Sequence, residues 1–268
     1  MNKSQYDSFA TSYLHVEDLP CSLIEAQLIQ TALALSPCEG LTVLDLGGGS
    51  GLHARRAVAA GAARVDVVDI SREMMRAGEE IEASLGRGTE RSNKPENEDE
   101  NVKIRWIHAD ISKSIPLSAN LDPKGYDIVM ANWLFDHATS EADLLGMWTN
   151  VVTHLKSPGG RFLGVRVQNL QAAQYMVSGK YGALFKDIRE IPGGFGYVCG
   201  CLTNPPFEFG CTSMRSTLEL DHTIPRTLGL VDFAVIPPEE MQVVKENPEY
   251  WADFVKTPNL AVVVARKA

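Results

Sequence analysis

The chain has 268 residues, 44% of them apolar and 22% charged, ordinary for a soluble globular protein and enough for a buried core without staples. Twenty-five basic against 34 acidic side chains leave a net charge of −9, which argues against a nucleic-acid backbone as partner. No apolar run reaches the roughly 18–20 residues of a membrane helix, the polar start Met1 to Ala10 lacks an apolar signal core, and five cysteines in so large a chain predict reduced thiols, so a cytoplasmic protein with no membrane partner is expected.

Strand-like and helix-like patterns alternate along the chain. Leu41 to Leu46 is a short apolar run that stops at glycines, and Leu52 to Ala60 then reads as a helix. Arg64 to Asp69 reads as a second strand, followed by a helix over Ser71 to Leu85 with Ser71 as N-cap and Met74, Met75, Ala77, Ile81 and Leu85 as its apolar positions. Val102 to Ala109, Tyr126 to Ala131 and Gly160 to Val167 are strand-like, and Ala142 to Leu155 is amphipathic. Leu230 to Ile236 and Leu260 to Ala265 close the pattern as strands around a helix near Glu246 to Val255. This alternation predicts βαβ units and a parallel sheet in a single domain over 1–268. Two stretches interrupt it. Gly86 to Asn101 has no large apolar residue and dense charge, which predicts a flexible surface insert. Gly179 to Pro206 is rich in Gly, Pro and aromatics and too apolar for a linker, which predicts a segment folded over something.

The strongest chemical signal is Val43-Leu44-Asp45-Leu46-Gly47-Gly48-Gly49-Ser50-Gly51. A buried strand ends in an acid and then in glycine at every second position, so the backbone can turn sharply and approach a ligand beside the amides of the next helix. Such crevices at the C-terminal ends of parallel strands bind nucleotides. The dinucleotide fingerprint fails, because Leu52 stands where Gly-x-Gly-x-x-Gly needs its third glycine, which disfavours an NAD(P)-dependent oxidoreductase. Asp69 ends the second strand, where a carboxylate can accept both ribose hydroxyls, and Asp110 ends the third.

With VLDLGGGSG, VDVVDIS, HADI, YDIVMANWLFDHA and LKSPGGRFLG in this order, the sequence resembles the class I S-adenosylmethionine-dependent methyltransferases over roughly Tyr6 to Arg266. The tail, with PPFEFG, VIPPEE and EYWADFVKTPNLAVVVARK, is similar to small-molecule methyltransferases related to toxoflavin synthase. The resemblance implies an α/β, Rossmann-like sheet of seven strands with helices on both faces, an antiparallel last strand at its edge, and a lid over 179–216 before the last two strands. It implies S-adenosylmethionine as cofactor, S-adenosylhomocysteine as by-product, and methyl transfer to N or O of a small molecule, in secondary metabolism.

Site residues follow from the resemblance one by one. Gly47 and Gly49 would hold the methionine part of the cofactor, and Asp45 would face its ammonium directly or through water. Asp69 would bind the ribose, with Ile70 and Met74 on the adenine, Asp110 accepting from the adenine amino group and Ile111 giving a backbone contact. Asn132 and Trp133 would line the sulfonium side, and Tyr13 would close over the methionine moiety, although a plain core position explains Tyr13 equally well. Gly48 departs from the Cys or Ala more usual in relatives.

Methyl transfer from a sulfonium needs orientation more than proton chemistry, so no catalytic side chain stands out. His137 is the first candidate base, ahead of His222 and Glu208. Tyr181, Phe185, Phe195, Tyr197, Phe207 and Phe209 would give an aromatic wall suited to a flat or apolar metabolite. Cys199, Cys201 and Cys211 offer three thiols where structural zinc wants four ligands, with His222 needed to complete a set, so buried apolar thiols are the default. The rival from another class is a protein that keeps the cofactor but transfers nothing, acting as a partner subunit or scaffold.

Overall fold

Every run expected as a strand lies in one sheet, with ends within two residues of expectation: β1 (Thr42–Leu46), β2 (Arg64–Asp69), β4 (Ile104–His108), β5 (Ile128–Met130), β6 (Arg161–Val167), β10 (Leu230–Val235) and β11 (Leu260–Lys267). The computed structural model describes residues 4–87, 90–91, 102–115, 121–172, 175 and 177–268. Most of the expected insert over 86–101 lies outside the described residues. Within it, Glu90–Arg91 form a two-residue strand, β3, beside β4, which adds an edge strand to the seven expected, in the order β10-β11-β6-β5-β1-β2-β4-β3.

The antiparallel strand is not at the edge. β11 lies between β6 and β10 and runs antiparallel to both, while the pairs from β6 across to β3 are parallel. From β1 the chain steps outward through β2 to β4, then crosses back to β5 on the other side of β1. That reversal opens a crevice at the C-terminal ends of β1 and β5, where ligands bind in such sheets.

Side-chain alternation splits the core into two layers. Val43, Val65, Val67, Ile128 and Val262 pack against Ile24, Leu28 and Ile29 of α2 (Pro20–Ala34), Ala54 and Ala57 of α3 (Leu52–Ala59), and Trp251 and Phe254 near the C-terminus. Leu44, Leu46, Val68, Val129 and Phe162 pack against Leu144, Met147, Trp148 and Val151 of α5 (Glu141–His154). With both faces covered, the central strands are mostly apolar, with Asp45 in β1 and Asp66 in β2 as exceptions. A buried acid is tolerated within β2: Asp66 takes two bonds from its cross-strand neighbour Arg105, at 3.0 and 2.6 Å, and one from the Tyr126 hydroxyl at 2.5 Å.

α4 (Arg72–Ser84) starts where expected, with the Ser71 hydroxyl accepting from the Met74 amide at 3.2 Å. Its buried face differs: Met74, Met75, Gly78 and Glu82 are buried and Leu85 is exposed. Gly78 lets the helix approach the glycine loop, since a Cβ there would lie 2.5 Å from the Ser50 carbonyl.

The expected lid is a sheet in its own right. β7 (Ala183–Ile191), β8 (Gly194–Cys201) and β9 (Phe207–Met214) pair antiparallel in that order. Asp136 ties it to the main sheet: its side chain accepts from the Val167 amide at 3.0 Å and the Ser213 hydroxyl at 2.6 Å, and its carbonyl accepts from the Thr212 amide at 2.9 Å. No helix among the described residues is long and apolar enough to cross a membrane.

Candidate active site

The loop after β1 is built by alternating backbone handedness. Gly47 and Gly49 have φ of +75° and +53°, a region where L side chains are strained. The Gly47 amide donates to the Val68 carbonyl at 2.8 Å, and the Gly49 amide to Asp69 Oδ2 at 2.9 Å. Asp69 Oδ1 accepts from the Ser71 amide at 2.7 Å, and the Trp106 indole donates to the Gly49 carbonyl at 3.2 Å. The tip of β2 therefore holds the loop open. Burial raises the Asp69 pKa, against the hydrogen bonds from Ser71 and Gly49.

A cavity of about 540 Å³ lies over this loop. Its walls include Gly47 and Gly49, Asp69, Ile70 and Met74, Asp110 and Ile111, Asn132 and Trp133, with Tyr13 and His137 opposite. Each residue singled out in the sequence for the cofactor reaches this cavity except Asp45. That side chain sits beneath Gly48, where a Cβ would come within 2.5 Å of Asp45 Oδ2 and 2.9 Å of Val67 Cγ1, so glycine at 48 makes room for the acid. Asp45 is fully buried and both its oxygens lack a hydrogen-bond partner among the described residues. Burial pushes its pKa up to about 6, with His53 opposing and Asp69 adding to the rise. Asn132 is similar in part, for its Oδ1 accepts from the Val165 amide at 3.2 Å while the buried Nδ2 is unpartnered. A buried acid and a buried amide without partners beside a glycine cradle fit a ligand that brings an ammonium and a carboxylate.

Asp110 is held differently. Its Oδ1 accepts from the Ser112 amide at 3.1 Å and hydroxyl at 2.7 Å, and Lys113 Nζ lies 3.0 Å from Oδ2. Burial is the largest single influence and raises its pKa, but the bonds from Ser112 and Lys113 together outweigh it and hold the carboxyl below its usual range. It is a turn acid that also lines the cavity.

His137 faces the cavity with Nε2 2.8 Å from the Tyr6 hydroxyl. Burial pulls the imidazole pKa down to about 4 and pushes the Tyr6 phenol well above its ordinary value, so both are neutral near pH 7. Sequence reasoning did not single out Tyr6, Glu25 or His53. Glu25, buried on α2, accepts from the Trp133 indole at 3.2 Å and faces His53 Nε2 at 3.2 Å. Trp133 has φ of +60°, so this indole is held in place at a strained turn.

The other candidate bases lie elsewhere. His222 stacks on Phe233 at 4.1 Å between ring centres, and the exposed Glu208 pairs with Lys186 at 2.6 Å; neither lines the cavity. The expected aromatic wall divides. Tyr181 is stacked on Trp251 in the main core, Phe195 lies under the Arg215 guanidinium, and Phe207 stacks on Phe9. Phe185, Tyr197 and Phe209 do converge, with Cys199, Cys201 and Cys211, on a second pocket of about 80 Å³ behind Trp133.

Residues 43–160 match the family described as a methyltransferase domain. No curated protein matches the chain. Among solved structures, the CcbJ methyltransferase from Streptomyces caelestis is 17% identical with a TM-score of 0.62, covering 98% of this chain and 96% of that one. An S-adenosylmethionine-dependent methyltransferase from Clostridium acetobutylicum is 16% identical with a TM-score of 0.60, covering 99% and 100%. A complex of DhpI with S-adenosylhomocysteine is 17% identical with a TM-score of 0.56, covering 98% and 93%. Those three likenesses concern the fold. Residues 43–160 thus carry a methyltransferase domain, set on a Rossmann-like sheet.

Proposed function

We propose that this chain methylates nitrogen or oxygen of a small-molecule metabolite, acting as one unit in which the segment over 179–216 covers the acceptor. The observation that carries this reading is enclosure. The cavity has the glycine loop on one side and Tyr197, Val198, Gly210, Cys211 and Thr212 of the second sheet on the other, with Ser4 to Tyr6 across its mouth. A metabolite fits such a space, and a folded protein surface or a polymer does not.

The residues divide the work. The Gly47 and Gly49 backbone and Asn132 take the amino-acid end of the cofactor, and Asp45 balances its ammonium from below. Asp69 keeps acceptor capacity beyond its bonds from the backbone amides for the ribose hydroxyls. Ile70 and Met74 flank the adenine, and Asp110 and Ile111 meet its polar edge. When bound, the cofactor supplies a methyl group on a sulfonium, an excellent leaving group. The chain then has to align the acceptor between Trp133, Tyr13 and Tyr197 and keep water out. An acceptor that is protonated at working pH hands its proton to the Tyr6 oxygen as the Tyr6 hydroxyl hands its own to His137 Nε2. The test is mass spectrometry over a metabolite panel, with S-adenosylhomocysteine counted alongside. A methyl gained on an acceptor in step with that by-product supports the reading. Tight cofactor binding with no acceptor methylated favours the rival role of partner subunit or scaffold.

A further inference from the structure

The 80 Å³ pocket behind Trp133 is separated from the main cavity by a shared wall of Tyr6, Tyr13, Trp133, His137, Tyr197 and Cys211. It is roughly half the size of the ~150 Å³ hole that accepts benzene, so it holds a group of a few heavy atoms and not a ring. Its charged side chains are acids, and no Lys or Arg among the described residues lines it. The acids are already satisfied: Glu25 by Trp133 and His53, Asp136 by Ser213 and the Val167 amide. Asn259 is not. It is 3% exposed, it lines this pocket, and its Oδ1 has no partner. A buried carbonyl oxygen left unpaired is costly, and here its residue lines a space that can supply the missing donor.

We infer that the methyl acceptor inserts a small hydrogen-bond-donating group, an amide or amine N–H, into this pocket and that Asn259 Oδ1 receives it. The inference rests on the proposed transfer site. Asn259 is then a specificity-determining residue: it rejects an isostere that puts a methyl where the acceptor has an N–H, because the buried oxygen is again left unpaired.

Acetamide and acetone, which differ by NH₂ against CH₃, form the probe pair. The full chain is first titrated with S-adenosylhomocysteine by calorimetry and then, saturated with it, with each probe, following the Trp133 indole N–H in ¹H–¹⁵N spectra. Acetamide is expected to move that resonance and to bind about tenfold or more tightly than acetone, and Asn259→Leu to erase the preference. Equal affinities, no shift at Trp133, no binding of either probe, or a preference that survives in Asn259→Leu overturns the inference. If Asn259→Leu fails to fold, the comparison on the native chain decides alone. Failure to bind S-adenosylhomocysteine in the first titration counts against the transfer site itself, which keeps the two readings apart.

Discussion

Removing the Asp69 carboxylate tests the cofactor site most directly, because the structure separates what the group does for the ligand from what it does for the chain. In Asp69→Ala the ligand loses its ribose acceptors. A hydrogen bond to a charged group contributes about 1.5–3 kcal/mol, so affinity for S-adenosylhomocysteine should fall about 10- to 150-fold. The chain loses the acceptor for the Gly49 and Ser71 amides, both on buried residues. Water from the adjoining cavity can reach them, so we expect about 1–2 kcal/mol of destabilisation, the low end of the range for an unsatisfied buried donor. That is a fall in Tm of about 2–8 °C for a chain of this size. Calorimetry with S-adenosylhomocysteine well below Tm reads the first effect, and thermal unfolding without ligand reads the second. A folded Asp69→Ala variant with unchanged Kd would refute the ribose assignment, and an unchanged Tm would refute the claim that Asp69 props the loop.

Three further expectations follow from the same geometry. The free Asp45 carboxyl has a pKa raised to about 6, and an ammonium ligand needs it ionised. Affinity for S-adenosylhomocysteine should therefore be flat above pH 7 and fall up to tenfold per unit below 6, a slope absent in Asp45→Asn; calorimetry from pH 5 to 8 measures it. The same raised pKa stabilises the ligand-free fold at low pH and loses that contribution as pH rises from the unfolded value of about 3.9 through 6. Asp66→Ala removes the buried acceptor that Arg105 and Tyr126 share, so it should cost about 3 kcal/mol or more and lower Tm by at least about 6 °C in thermal unfolding, while a change within 2 °C would contradict the buried pair. If the His137–Tyr6 pair moves the acceptor's proton, His137→Ala and Tyr6→Phe should each lower kcat by about 10²-fold or more with Kd for S-adenosylhomocysteine unchanged, and kcat/KM should show no inflection near 6.5 because the imidazole titrates near 4. A rate within a few-fold of the native chain removes the pair from proton transfer.

Much of the frame was legible because it is local. Parallel strands buried on both faces are mostly apolar and rich in Val, Leu and Ile, so β1, β2, β4 and β6 announce themselves despite isolated charged residues, and the Ser71 cap and the glycine turn are set by residues a few positions apart. β7 to β9 were not legible as a sheet, because β7 is exposed on both faces from Lys186 to Glu190 and so shows no apolar alternation there, while glycines interrupt β8. The aromatics there were equally deceptive. Tyr181 and Tyr197 look alike in sequence, yet one is stacked on Trp251 and the other lines the cavity, and only tertiary contacts with distant segments separate them. The same holds for Glu25, which nothing near it in sequence marks: its partners Trp133 and His53 arrive from other elements.

The two acids of Val65-Asp66-Val67-Val68-Asp69 show where sequence reasoning can reach and where it stops. Three residues apart on a strand, they point to opposite faces. Asp66 lies inside the sheet, and its counter-charge, Arg105, comes from the neighbouring strand through a register that no local pattern encodes. Asp69 lies at the strand's last position, where the sheet ends and one side of the carboxylate opens on the cavity while its other side is bonded by the Gly49 and Ser71 amides. An acid at the tip can therefore be bonded by the fold and still have lone pairs to offer, whereas an acid three residues earlier must be neutralised by the fold itself. That difference in position, more than the kind of side chain, is why an acid at the end of a parallel strand is left able to bind a ligand while the one within it is committed to stability.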